Sequence, residues 1–487
     1  MRARLISVLI VPLLGACAAG DDDGVVDVVY MGDAAALFSS GAELGPGAQL
    51  MRAAQRQGLV RFDAVGNVVP GLAERWIVTD DGKSYIFRIT EFDLPDGNRL
   101  TAQSVAEGLR EAIRGAQGTS IGLDLDKVQD VRAMTGRVIE IRLRSAMPGF
   151  LQLLAQPELG IALREGDTGP MAGQMDEGTA ILQAIPPERR GLPAGQDWDE
   201  MTRPVHIAAL APREAARAFA RGDFDLLLGG RLDTLPLAVT GALSRGTVRL
   251  DSAIGLFGID VARPSGFLGD AANREALAMA IDRTVLVQQF NLGGWNGSSR
   301  IVPAGLPGDG GAQVQRWEGQ TLEQRQAVAS ERVRAWQSRS GTSASLTIAL
   351  PSGPGARFLF EALARDFAAV GVTLALAERG DPADLVLRDT VARYAGTRWF
   401  LNQFNCRISA PVCSEDADYL VDLSLDAASP AEAASYLAEA EQTLTATNLY
   451  IPLGPPVRWS QVRAGVEGFA ENSLAVHPLF PLSRAPI

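Results

Sequence analysis

The stretch from Gly58 to Gly115 puts three chain reversals and one capped helix into a short span, and that order limits what the rest can build. The runs LVRF and VVPG flank residues 63–67, where Gly66 and Asn67 supply the positive-φ positions a tight reversal needs. A second reversal at residues 80–83 leads into SYIFRI, whose Tyr85, Phe87 and Ile89 share one face of a strand. The third, Pro95-Asp96-Gly97-Asn98, runs to Thr101, a predicted N-cap. The helix after it carries Val105, Leu109, Ala112 and Ile113 on one side and stops at Gly115. These rules describe a small β-rich unit with one amphipathic helix.

A chain of 487 residues has room for about two to four such units and a large core. Hydrophobic residues make up 47% of it, which suits a folded globular body and not a disordered one. The net charge of -12, with no Lys/Arg cluster, argues against a nucleic-acid partner. His206 and His477 are the two histidines, and both are expected to be structural. Histidine metal sites and Ser-His-Asp triads need more than that, and no HExxH, Walker or GxSxG motif occurs. The 57 acidic residues leave paired-carboxylate chemistry open.

The N-terminus reads MRARLISVLIVPLLGAC: two arginines, an apolar run too short to span a bilayer, and small residues before Cys17. This is a secretory signal over residues 1–16, with a tether over 17–24. Leu14-Gly15-Ala16-Cys17 resembles the bacterial lipobox, which implies lipidation of Cys17. The alternative is a plain signal peptide with an incidental cysteine. Cys406 and Cys413, the remaining pair in an exported chain, are expected to form a disulfide.

The phrases GLVRFD..GNVVPGLAERW, DDGKSYIFRI and DG..LTAQSV stand in an order and spacing that closely resemble the family 5 extracytoplasmic solute-binding proteins. These are the dipeptide- and oligopeptide-binding proteins of ABC importers. R.AL..AIDR from Arg274 with VPAGLPG after it, and YIPL at Tyr450, extend the resemblance over nearly the whole mature chain. It implies an α/β, bilobal periplasmic-binding-protein fold (type II-like, three-part). Domain I would be discontinuous, over residues 25–45, 201–262 and 454–487. A β-rich subdomain would fill 46–200 and a second α/β lobe 263–453. GLFGID would be the strand leaving domain I, with chain crossings near 262 and 453 as the hinge.

In the second lobe one helix is expected over residues 273–291 and another over 323–338, with Val328, Val333 and Trp336 buried. SLTIAL, ARFLFEALARDFAAVG and VTLAL then read as a βαβ unit. Its turn, Ser352-Gly353-Pro354-Gly355, is either an ordinary βα turn or a place for an anion.

Three family phrases are weak or missing here: GTGPY is reduced to Gly178-Thr179-Ala180-Ile181-Leu182, and NPDYW and GWGADYPDP are absent. The aspartate of the last phrase pairs with the peptide α-amino group in peptide-binding members. Around the corresponding segment the candidate ligand residues are Asp389, Arg393, Tyr394 and Trp399, joined by Tyr30 at the end of the first strand.

The implied function is capture of a small solute, a di- or oligopeptide first, between two lobes and delivery to an ABC permease in the inner membrane. The protein would be a lipid-anchored periplasmic monomer with no cofactor, no metal, no catalytic residues and no enzymatic activity. Alternatives are the same fold taking a sugar, opine or metal chelate, a sensory receptor or chaperone, and a periplasmic hydrolase.

Overall fold

A computed structural model describes residues 24–92, 99–163, 166–238, 246–311, 315–378 and 380–485. The turn expected at residues 95–98, the secretory signal expected over 1–16 and Cys17 lie outside the described residues. In chain order, β1 (Val26–Met31) is followed by the helix Pro46–Gln55 and then by six strands. These are β2 (Val60–Phe62), β3 (Val68–Pro70), β4 (Ala73–Val78), β5 (Ser84–Ile89), β6 (Val128–Ala133) and β7 (Val138–Leu143). A two-residue ladder, β8 (Ala162–Leu163) and β9 (Gly166–Asp167), precedes β10 (Met171–Asp176), β11 (Thr179–Ala184), β12 (Val205–Leu210), β13 (Leu226–Arg231) and β14 (Val248–Asp251). Then come β15 (Gly255–Val261), β16 (Ala344–Ala349), β17 (Val372–Leu376), β18 (Leu385–Val391), β19 (Tyr450–Gly454) and β20 (Arg458–Val462).

The reversals near Gly66 and Gly82 form, with φ of 80° and 65° at the two glycines, but Asn67 does not take the positive φ expected of it and instead donates its N–H to Asp63 Oδ1 at 2.8 Å. Thr101 caps the helix Ala102–Gly115, and Ser104 answers it in a reciprocal capping box. Phe87, Ile89, Ile139, Ile141, Val105 and Leu109 are fully buried between that helix and the sheet β4-β5-β7-β6. Each contributes about 1.5–3 kcal/mol by leaving water.

Two larger sheets make the lobes. The first has the order β10-β11-β12-β1-β13-β20-β14, with β1 parallel to both neighbours. The second has the order β17-β16-β18-β15-β19. β14 pairs antiparallel with β20 in one sheet, and β15 with β19 in the other. The two connections between the lobes, residues 252–254 and 455–457, therefore run side by side.

The first crossing corrects the sequence reading. GLFGIDV is a central strand of the second lobe, because Leu256, Phe257, Ile259 and Val261 are all buried between β18 and β19. The hinge segment thus precedes it instead of lying near 262. The span 46–200 is likewise not one subdomain. The helix Pro46–Gln55 buries Met51 and Ala54 in the core of the seven-stranded sheet, and β10 and β11 are strands of that sheet.

The helix expected over 273–291 is two helices, Ala271–Ala280 and Arg283–Gln289. Asp282 makes the break: its carboxylate accepts the N–H groups of Thr284 and Val285 at 3.1 Å, which starts a new helix. The helix Leu322–Ser340 buries Val333, with Val328 and Trp336 half-buried. Residues 185–202 hold a 3-10 turn, Pro187–Arg190, and a short helix, Trp198–Met201. No helix among the described residues is long and apolar enough to cross a membrane.

Candidate ligand cleft

The cleft lies where βα turns of both lobes face each other. On the first lobe these follow β12 and β13. On the second, the turn after β16 begins the helix Pro354–Ala369. A β-bulge between Leu227 and Gly230, with Gly229 at φ 85°, shifts the register of β13 before Gly230 and Arg231 pair with Trp459 and Arg458 of β20. Thr234 holds that end, its hydroxyl accepting the Arg231 N–H at 3.0 Å, and the Trp459 indole donates to the Arg231 carbonyl at 2.9 Å.

Asp389 of β18 meets this edge. Its carboxylate accepts from Arg231 Nε at 3.1 Å and from Arg458 Nη1 at 2.7 Å. Both guanidinium groups also donate to its carbonyl, at 3.1 and 3.3 Å. The Asp389 side chain is 4% exposed, against 12% for Arg458 and 42% for Arg231. One carboxylate of the second lobe is thus consumed by two arginines of the first, beside the crossing strands.

Tyr30 stands next to this group, and the fields of Arg231 and Arg458 act on its phenol. Burial nevertheless pushes that hydroxyl above its ordinary value. Glycines make room for the ring: a Cβ at Gly32, Gly47 or Gly229 would sit 2.9, 3.0 or 2.8 Å from its carbons. Burial also pushes the Asp233 carboxyl upward, against the pull of Arg231.

The other three candidates are used elsewhere. Arg393 donates to Glu158 Oε1 at 2.9 Å and to the Leu44 carbonyl at 3.1 Å. Tyr394 is buried, its hydroxyl donating to Asp124 Oδ1 at 2.8 Å, where Asn402 also donates at 2.6 Å. Burial pushes the Asp124 carboxyl up to about 6, although Arg398 pulls it down. Trp399 is 1% exposed and packs edge-on against Phe400. Arg393 and Tyr394 dock the second lobe on the helix 46–55 region and the β-rich body, and Trp399 is core. Arg393 and Tyr394 are thus taken up by the chain's own acids, Glu158 and Asp124, and Trp399 by packing in the core.

The remaining features settle into structural places. The turn at residues 352–355 is a docking surface: Gly355 N–H donates to the Asp233 carbonyl at 2.8 Å. A Cβ on Gly353 would lie 2.3 Å from that oxygen, so glycine permits the approach. His206 lies 3.3 Å from Asp27 and His477 3.0 Å from Asp251. Cys406 and Cys413 are joined, with Cα atoms 5.0 Å apart. Among the described residues no three His, Cys, Asp or Glu side chains form a metal-ligand group.

Between the lobes opens a cavity of about 580 Å³. Ala211, Pro212, Arg213 and Leu237 line it from the first lobe, and Ser352, Gly353, Pro354, Arg357 and Phe358 from the second. Sequence reasoning reached this wall only through the Ser352 turn. Arg213, Arg231, Arg357 and Arg458 went unnoticed, since each is an ordinary surface-type residue until the lobes come together.

No family model matches the chain. The nickel-binding periplasmic protein of Escherichia coli is 26% identical over 244 residues, which is 47% of this chain and 46% of that protein. The chain therefore matches about half the length of that relative. Among solved structures, Haemophilus influenzae OppA in complex with the peptide RPPGFSPFR superposes with a TM-score of 0.77 at 16% identity, over 96% of this chain and 99% of that one. The murein tripeptide binding protein MppA of Escherichia coli gives 0.78 at 16% identity, over 95% and 98%. This chain has the bilobal fold of the periplasmic oligopeptide-binding proteins, the fold that its resemblance to the family 5 solute-binding proteins implies.

Proposed function

We propose that this protein is the extracytoplasmic solute-binding component of an ABC importer, closing two lobes on a small solute and offering the closed form to a permease. Its first ligand class is the short peptide, as the names of the structurally similar OppA and MppA suggest. The observation that carries the reading is the pair of adjacent crossings at 252–254 and 455–457, with a cavity between βα turns of the two lobes. Two neighbouring strands can bend together while each lobe stays rigid, so closure needs no rearrangement within either core. No bond is made or broken in this cycle, and the energy of transport comes from a separate ATPase.

In the same reading, Cys17 carries lipid and the body sits at the periplasmic face of the inner membrane as a monomer. Metabolic labelling with a palmitate analogue tests this; a Cys17→Ser protein that still takes label removes the anchor. Asp389 favours a second ligand class. The clamp on its carboxylate leaves it unsuited to a peptide α-amino group, so a solute without a free amino terminus suits the cleft as well.

The deciding experiment is a thermal-shift and calorimetry screen against peptides, sugars, opines, organic acids and nickel chelates. A ligand at a hundred times its dissociation constant stabilises the protein by about 2.7 kcal/mol. Binding without turnover supports the reading; turnover of any screened compound, or no binding at all, overturns it.

A further inference from the structure

We propose that the cleft grips an anionic group of its solute, a carboxylate, between Arg213 of the first lobe and Arg357 of the second, with the solute's apolar body against Leu237 and Phe358. This deepens the solute-binding reading and rests on it.

Four observations converge. The cavity is walled by both lobes, so whatever fills it touches both. Arg213 and Arg357 are exposed, and neither guanidinium has an ion pair or hydrogen bond among the described residues. No acidic residue lines the cavity. Asp233, whose backbone meets the cavity-lining Gly353, lies in the field of Arg231, and Asp389 is committed to Arg231 and Arg458. In a chain with a net charge of -12, this concentration of arginine runs against the general composition.

The physics then favours one ligand class. Two cations on opposite lobes repel each other as the empty cleft closes, and an anion between them turns that repulsion into attraction from both sides. A guanidinium offers a planar fork that matches a carboxylate. Apart from Ser352, the rest of the wall is apolar, with Pro212, Leu237, Pro354 and Phe358 its larger side chains and Phe358 40% exposed. A carboxylate on an apolar body fits both halves. It can come from the C-terminus of a hydrophobic peptide or from a free organic acid.

The test uses calorimetry on the purified protein with four versions of one hydrophobic tripeptide: both ends free, N-acetylated, C-amidated, and capped at both ends. Aliphatic and aromatic monocarboxylates are titrated beside them, each with its primary amide. N-acetylation is expected to change affinity less than threefold, and C-amidation to weaken it by about tenfold or more. If only the free monocarboxylates bind, the source is an organic acid and the clamp still stands. Arg213→Gln and Arg357→Gln are each expected to lose about tenfold for the carboxylate and nothing for its amide. Both side chains are exposed, so unchanged melting temperatures are expected to confirm that the variants fold.

Binding that tolerates C-amidation, or that survives both substitutions, overturns the clamp while leaving the solute-binding reading intact. So does binding confined to a neutral or cationic member of the wider screen. Absence of binding by every compound tried, with no compaction in solution scattering, overturns both.

Discussion

Asp389 shows how a residue at a plausible ligand position can serve a different end. Its side chain is almost fully covered and holds two arginines from the other lobe. Asp389→Ala leaves Arg458 sheltered without its anion, whereas the more exposed Arg231 can turn to water. The expected cost is about 2–4 kcal/mol, read as a lower urea midpoint with an unchanged slope. Replacing Asp389 by Leu and Arg458 by Met together is expected to recover most of that loss, since neither charge is then stranded. Asp124 makes the second prediction at this scale. Its carboxyl titrates near 6 in the fold and at the ordinary aspartate value, about 3.9, in the unfolded chain. The folded state therefore holds a proton that the unfolded state has lost between those values, and stability falls as pH rises through this window, by about 2–3 kcal/mol in all. Asp124→Asn is expected to remove that component. Urea midpoints of the two proteins at pH 4, 5, 6 and 7 should converge on a constant difference above 6; parallel profiles from 4 to 6 would show that Asp124 does not carry the effect.

At the scale of single elements, much was legible from local rules. The turns at Gly66 and Gly82 and the cap at Thr101 need only neighbours in sequence, and each forms where its residues require. Thr101→Ala should cost about 1 kcal/mol, measured by urea denaturation, because the Ser104 N–H loses its acceptor at the start of a buried-face helix. What local pattern did not carry was partnership. GLFGIDV reads equally well as the last strand of one lobe or a central strand of the other, and only its burial between β18 and β19 decides. The run after Asn273 keeps a helical stripe through Ile281, so the break depends on Asp282 turning its carboxylate onto the backbone ahead. The site was least legible of all. Tyr30 and Asp389 do come to one place, but their arginine partners lie far along the chain in unremarkable contexts. Arg393 and Tyr394 were lost to Glu158 and Asp124, acids whose proximity no spacing rule reports.

At the scale of the whole molecule, a body joined by two neighbouring strands has one soft direction. Among the contacts that oppose opening are the Arg393 and Tyr394 bonds to the first part of the chain, the Gly355 bond to Asp233 and the Asp389 pairs with Arg231 and Arg458. Removing one of them should favour the open form. Arg393→Ala is expected to raise the radius of gyration of the ligand-free protein in solution scattering, and saturating ligand should bring it back; identical curves for both proteins would show that this bond does not hold the lobes.

The order of strands in the seven-stranded sheet also bears on how the chain is made. β20 sits between β13 and β14, and β14 has no other partner in that sheet, yet β20 is the last of the strands in sequence. A ribosome delivers β1 and β13 hundreds of residues before the strand that completes their sheet. Until then, one edge of the first lobe stays open and its core incomplete. A chain stopped before residue 455 should accordingly keep a protease-resistant second lobe and a first lobe that is digested.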